Sequence, residues 1–175
     1  MNYLAVRNMK FINSLASWVI KKRLHQIELF IRYPIEVQQE LFNKLIEYGK
    51  QTEWGEEFKY DKIRTISDYQ DAVSISTYDD LKPYIDRVKR GEKKVLWSTD
   101  IKWFAKSSGT TSDRSKYIPI SNESLEDCHY KAGKDMLAIY CNNYPETKIF
   151  TSKGIAMGGS QSDSEFESSD YYTGD

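Results

Sequence analysis

The sequence is poor in the residues that build metal centres and covalent cross-links: its 175 residues include two cysteines and two histidines. Cys128 and Cys141 fall in what reads as one helix, more than three turns apart, too far to bridge each other. They are expected to be reduced thiols of a cytoplasmic protein. His25 and His129 sit at no ligand spacing from a cysteine pair, so no metal site is expected and both read as partly buried helix residues. An excess of one charge is lacking too. Lys and Arg number 25 against 26 Asp and Glu, a formal net charge of −1, which argues against nucleic acid or an anionic membrane as partner. Long hydrophobic runs are absent. The early stretch FINSLASWVI holds Asn13 and Ser14 and runs into KKRLHQ, which is too short to span a bilayer and has no small-residue cleavage site.

What is present is a globular composition, 39% hydrophobic and 14% aromatic, enough to build the core of one domain. The charge is uneven along the chain. Five acidic residues (Asp163, Glu165, Glu167, Asp170 and Asp175) follow Lys153, the last basic one. Residues 1 to 153 therefore carry a mild positive excess, which suits a small anionic ligand better than DNA.

The first fifty residues read as helices. Met9, Ile12, Ala16 and Val19 recur at helical spacing, and after Pro34 so do Val37, Leu41, Leu45 and Tyr48. TISDYQDAVSIST suggests a turn of helix and a brief extended segment. In TYDDLKPYIDRVKRGEK, Thr77 and Asp80 form a capping-box pattern and Leu81, Tyr84, Ile85 and Val88 an apolar stripe, closed by basic residues and Gly91. Pro83 predicts a kink there, or a fresh helix start. IKWFAK alternates like a strand, with Ile101, Trp103 and Ala105 on one face, and Tyr117 to Ile120 suits a second strand. Ser121 then caps a long helix with the stripe Leu125, Cys128, Ala132, Met136 and Ile139, and KIFTS reads as another strand. Helices alternating with strands predict an α/β architecture: a helical N-terminus, then part of a mixed sheet with flanking helices.

Between the two strands lies SSGTTSDRSK, residues 107–116. Ser, Thr, Asp and Gly crowd surface turns because they hydrogen-bond local backbone, so a plain strand connection is one reading. The other is a phosphate cradle of hydroxyls, backbone N–H groups and one lysine ammonium. It is not a Walker A loop. Arg114 stands where the second glycine belongs, and Tyr117, not Ser or Thr, follows Lys116.

This loop resembles the phosphate loop of adenylate-forming enzymes. Taken with TEWGEEF (52–58), TYDDLKPYIDRVKRGE (77–92), SSGTTSDRSKYIP (107–119) and GGS (158–160), the chain resembles the auxin-responsive Gretchen Hagen family of acyl-acid amido synthetases. The resemblance implies a carbon–nitrogen ligase that adenylates a small carboxylic acid with ATP, accompanied by Mg2+, and conjugates it to an amino acid. It implies that Ser107, Ser108, Thr110 and Thr111 supply hydroxyls, that Gly109 lets backbone approach the phosphates, and that Lys116, the catalytic residue, neutralises the leaving pyrophosphate. The usual glycine of the adenylate-forming superfamily after the two threonines is Ser112 here.

The family's downstream adenosine-binding stretches are not found. The terminal YYTGD (171–175) has Tyr172 where arginine belongs and reads as a glycine-containing turn. By this reading residues 1–157 are an incomplete piece of the large N-terminal domain of such an enzyme, and residues 158–175 a flexible Ser/Gly/acidic tail. The piece alone is expected to be inactive. A non-catalytic protein-interaction module and an acyl-CoA synthetase-like adenylate-former are the alternatives.

Overall fold

The computed structural model of the protein describes residues 3–107, 116–155, 161–163 and 172–174, with side chains described over 11–107 and 116–155. The chain divides into two compact units, residues 1–37 with 126–158, and residues 38–125 with 159–175.

The first unit is helical. Helix α1 (Tyr3–Lys21) packs on α8 (Lys131–Asn143), as does α2 (Leu24–Arg32). The covered side of α1 is Asn13, Ala16, Ser17 and Ile20, whereas Ile12 and Val19 of the expected stripe are exposed. Asn13 Nδ2 donates to the Thr147 carbonyl at 2.7 Å, and Arg23 clamps Asp135 of α8 through Nε and Nη2 at 2.7 and 3.0 Å. The long helix after Ser121 also turns a different side inward. Ala138 and Cys141 are buried, and Met136 and Ile139 are 66% and 45% exposed. Leu125–Tyr130 is π-helical, and along α8 itself two apolar sides compete: Leu137, Ala138 and Cys141 are covered, whereas Ala132, Met136 and Ile139 are not. KIFTS is not a strand; residues 148–152 form a hydrogen-bonded turn, with Thr151 and Ser152 N–H both donating to the Lys148 carbonyl at 2.9 Å. Cys128 is exposed and Cys141 buried, both unbridged, and both histidines are exposed rather than partly buried.

The second unit holds most of α3 (Pro34–Gly49), then α4 (Glu53–Glu57), a 3₁₀ turn at Tyr60–Lys62, α5 (Ile66–Ala72) and α6 (Tyr78–Lys89). On α3 the side turned to the core is Phe42, Ile46 and Gly49, not Leu41 and Leu45. The caps are local and fall where the sequence puts them. Thr65 with Asp68 and Thr77 with Asp80 form capping boxes. Helix α6 ends in a Schellman motif: Gly91, at φ 90°, donates to Val88 O and Glu92 to Arg87 O, at 2.9 and 3.1 Å. Pro83 neither splits α6 nor restarts it; one helix runs through. Leu81, Tyr84, Ile85 and Val88 line its inward side, as the stripe predicts.

Strand β1 (Trp103–Lys106) pairs antiparallel with β2 (Tyr117–Ile120) in the register Trp103↔Ile120 to Lys106↔Tyr117. Helix α7 (Asn122–Ser124) follows, its Ser124 N–H capped by the Ser121 hydroxyl at 3.0 Å. Strands β3 (Gln161–Asp163) and β4 (Tyr172–Gly174) complete a mixed sheet in the order β2-β1-β4-β3, with β4 parallel to β1. Two stretches of the segment expected as a flexible tail thus join the sheet. In particular, 172–174 is a strand and not the expected turn, because its backbone finds β1 as partner. Phe104, 1% exposed, packs with Val88, Val95 and Ile101. A second cluster gathers Ile46, Tyr60 and Ile63.

Candidate functional site

Three of the four segments that carry the resemblance are linked by contacts; GGS (158–160) lies outside the described residues. In TEWGEEF, Thr52 is the buried N-cap of α4. Its hydroxyl donates to Gly49 O at 2.7 Å and accepts from Gly55 N–H at 3.0 Å. Behind it, Glu53 and Trp54 N–H donate to the carbonyls of Lys94 and Val95 at 2.8 and 3.1 Å. From α4, Glu53 accepts a two-pronged ion pair from Arg87 of α6, both distances 2.6 Å, and Arg87 also binds Glu92. These bonds hold both carboxyls below their ordinary range, and pairing with Glu92 and then Glu53 pushes the Arg87 guanidinium further up. Trp54 meets Tyr84 edge-on at 5.3 Å, and the Tyr84 hydroxyl donates to Glu57 at 2.8 Å.

The N-terminal end of α6 reaches the loop. Tyr78, its first residue, accepts the Tyr117 N–H at its hydroxyl at 3.0 Å and donates to the Tyr117 carbonyl at 3.4 Å. One step back along the chain, Lys116 places its ammonium 5.2 Å from the centre of the Tyr78 ring, within cation–π reach. The mouth of the loop is closed by backbone. Ser107 N–H donates to Lys116 O at 2.9 Å, and the Ser107 hydroxyl accepts the Lys116 N–H at 3.3 Å. Two further ammonium groups gather here, Lys89 at 4.3 Å and Lys106 at 5.8 Å from the Tyr117 ring centre.

Of the residues expected to form the site, Ser107 and Lys116 are therefore brought together. Ser108, Gly109, Thr110 and Thr111 lie outside the described residues. Sequence reasoning missed Tyr78, Lys89 and Lys106. Tyr78 was visible only as the residue after a helix cap, and its partner lies 39 positions away. The groups at the mouth include the Ser107 and Tyr78 hydroxyls and three ammonium groups, of which Lys89 also pairs with Asp86 at 3.7 Å, a cationic donor set of the kind that suits an anion. Among the described residues no group of three or more His, Cys, Asp or Glu is placed to hold a metal, and no helix is long and apolar enough to cross a membrane.

A profile described as the GH3 family N-terminal domain matches residues 23–174. Over 106 residues the chain is 32% identical to the indole-3-acetic acid-amido synthetase GH3.2 of Arabidopsis thaliana, covering 60% of this chain and 19% of that protein. It is 26% identical over 107 residues to the jasmonoyl-L-amino acid synthetase GH3.5 of Oryza sativa subsp. japonica, covering 61% and 18%. Among solved structures it is similar to the GH3.15 acyl acid amido synthetase, with a TM-score of 0.71 at 21% identity, covering 88% of this chain and 27% of that one. That likeness bears on fold alone and agrees with a partial α/β domain. The matched stretches span less than a fifth of the length of the curated relatives.

Proposed function

The chain belongs to the GH3 family, and on that footing we propose that it is the N-terminal part of a cytoplasmic, ATP-dependent acyl-acid amido synthetase. The parent protein would adenylate a small carboxylic acid and conjugate it to an amino acid. Support comes from the names of its relatives, which are amido synthetases acting on acids and amino acids, and from one geometric observation. The β1–β2 hairpin brings Ser107 and Lys116 to the two ends of a single Ser/Thr/Gly loop and closes it with their own hydrogen bonds.

ATP, with Mg2+, would supply the pyrophosphate leaving group. This chain's residues would hold it. Lys116 offsets charge developing on the outer phosphate oxygens, and the hydroxyls of Ser107, Ser108, Thr110 and Thr111 orient them. Gly109, with no Cβ, allows backbone N–H groups to approach. A positioned charge of this kind is worth about 10²- to 10³-fold in rate. In the complete protein Lys116→Ala is therefore expected to slow ATP–pyrophosphate exchange by that factor while leaving the unfolding midpoint unchanged, since Lys116 is exposed. Exchange at the wild-type rate would remove Lys116 from the mechanism.

A further inference from the structure

We propose that Tyr78 is a positioning residue for the loop lysine: its hydroxyl fixes the backbone beside Lys116, and its ring gives the ammonium a resting place at the loop mouth. The inference rests on the phosphate-loop function of Lys116. Its basis is a juxtaposition no local pattern supplies. One side chain touches two adjacent residues, Tyr117 through a reciprocal pair of hydrogen bonds to its backbone at 3.0 and 3.4 Å and Lys116 through its ring, 5.2 Å from Nζ.

The consequence is mechanical. Lys116 is exposed, and a lysine stem with four rotatable bonds holds its charge poorly unless its backbone is held. On one side Lys116 is tied to Ser107 across the hairpin. On the other, Tyr117 is tied to Tyr78, which α6 carries. That helix is anchored by Val88 and Ile85 in the core and by Arg87 to Glu53 of α4. The TYDDLKPYIDRVKRGE segment thus acts as a rigid arm whose tip is Tyr78.

Two variants separate the two contacts. Tyr78→Phe keeps the ring and deletes the hydroxyl; Tyr78→Leu deletes both. In this chain, hydrogen exchange at the Tyr117 amide is expected to rise about tenfold in Tyr78→Phe, the effect of losing one hydrogen bond, with little change in melting temperature. In the complete protein, Tyr78→Phe is expected to lower kcat for ATP–pyrophosphate exchange about tenfold with KM for ATP little changed, because the lysine is misplaced in the transition state rather than lost from the ground state. Tyr78→Leu should slow it further.

Three results would count against the reading in distinguishable ways. Wild-type exchange in Lys116→Ala overturns the phosphate-loop function and the inference with it. A slow Lys116→Ala beside a Tyr78→Phe of wild-type kcat overturns the role of Tyr78 alone, even if the Tyr117 amide is exposed. A Tyr117 amide as protected in Tyr78→Phe as in wild type overturns the hydrogen-bonded arm itself.

Discussion

Gly55→Ala puts a helix-favouring residue into a helix and is nevertheless expected to destabilise the protein. On propensity alone alanine should stabilise α4 by about 1 kcal/mol over glycine. The surroundings reverse the sign. A Cβ at Gly55 would lie 2.0 Å from the Gly49 carbonyl oxygen, 2.7 Å from its carbon and 3.3 Å from Lys50 Cα. None of these is the end of a flexible side chain. The Gly49 oxygen is held at 2.7 Å by the Thr52 hydroxyl, and Gly49 is itself pressed under the Tyr60 ring, where its own Cβ would meet the ring at 2.6 Å. The end of α3, the cap of α4 and the Tyr60 turn leave no direction in which to relax. Overpacking costs about 1–3 kcal/mol, and a clash with backbone falls at the upper end. A net loss of ~2 kcal/mol in a chain of this size lowers the melting temperature by about 4–8 °C. Gly133→Ala in α8 is the matched control. Nothing lies within 4 Å of a Cβ there, so it is expected to stabilise by ~0.5–1 kcal/mol. Thermal and urea unfolding followed by circular dichroism read both. A Gly55→Ala protein melting at or above the wild type would refute the close-approach explanation.

Two other perturbations follow from the same contacts. Thr52→Val removes a buried cap that both donates to Gly49 and accepts from Gly55, and should cost ~2 kcal/mol in urea unfolding, the high end for an N-cap, while Thr52→Ser keeps most of it. The carboxyls of Glu53, Glu92, Asp68 and Asp80 all sit below their ordinary range, the first two through Arg87, Asp68 through the backbone N–H groups of Arg64 and then Thr65, and Asp80 through the Thr77 capping-box bonds. Their contribution is complete above the unfolded carboxylate pKa, about 4.3 for Glu, and is lost as pH falls through the lower folded values. Arg87→Leu should flatten that acid slope; a slope identical to wild type in a pH series of melting curves would show that the Arg87 bonds carry none of it.

The elements that the sequence disclosed well are those whose cause is local. Thr77, Asp80 and Gly91 mark the two ends of α6 because capping and Schellman bonds close within six residues. The hairpin around Ser107–Lys116 was legible because alternation in IKWFAK on one side and the short apolar run Tyr117 to Ile120 on the other leave a polar stretch between. Local patterns misled where a distant partner decides which of several apolar sides is covered. Along α8 the covered apolar set is Leu137, Ala138 and Cys141, not Ala132, Met136 and Ile139. On α1 and α3 more than one side is apolar, and which is covered depends on α8 and on the Tyr60 cluster. At the site, Ser107 and Lys116 were legible as two ends of one loop. Tyr78 was not, because hydroxyl and backbone meet across 39 residues.

By itself, then, the sequence determined where most helices and the hairpin lie, the charge balance, and, through TEWGEEF, TYDDLKPYIDRVKRGE and SSGTTSDRSKYIP, the GH3 family. These are set by hydrogen bonds and side-chain patterns between near neighbours, which any window of a dozen residues contains. Only the tertiary structure decided that β4 pairs parallel to β1, that Gly55 sits against Gly49, and that α6 carries Tyr78 to the residue beside Lys116. Each depends on groups far apart in the chain, brought together only when burial of Phe104, Val88 and Ile46 offsets the entropy of closing the loops between them.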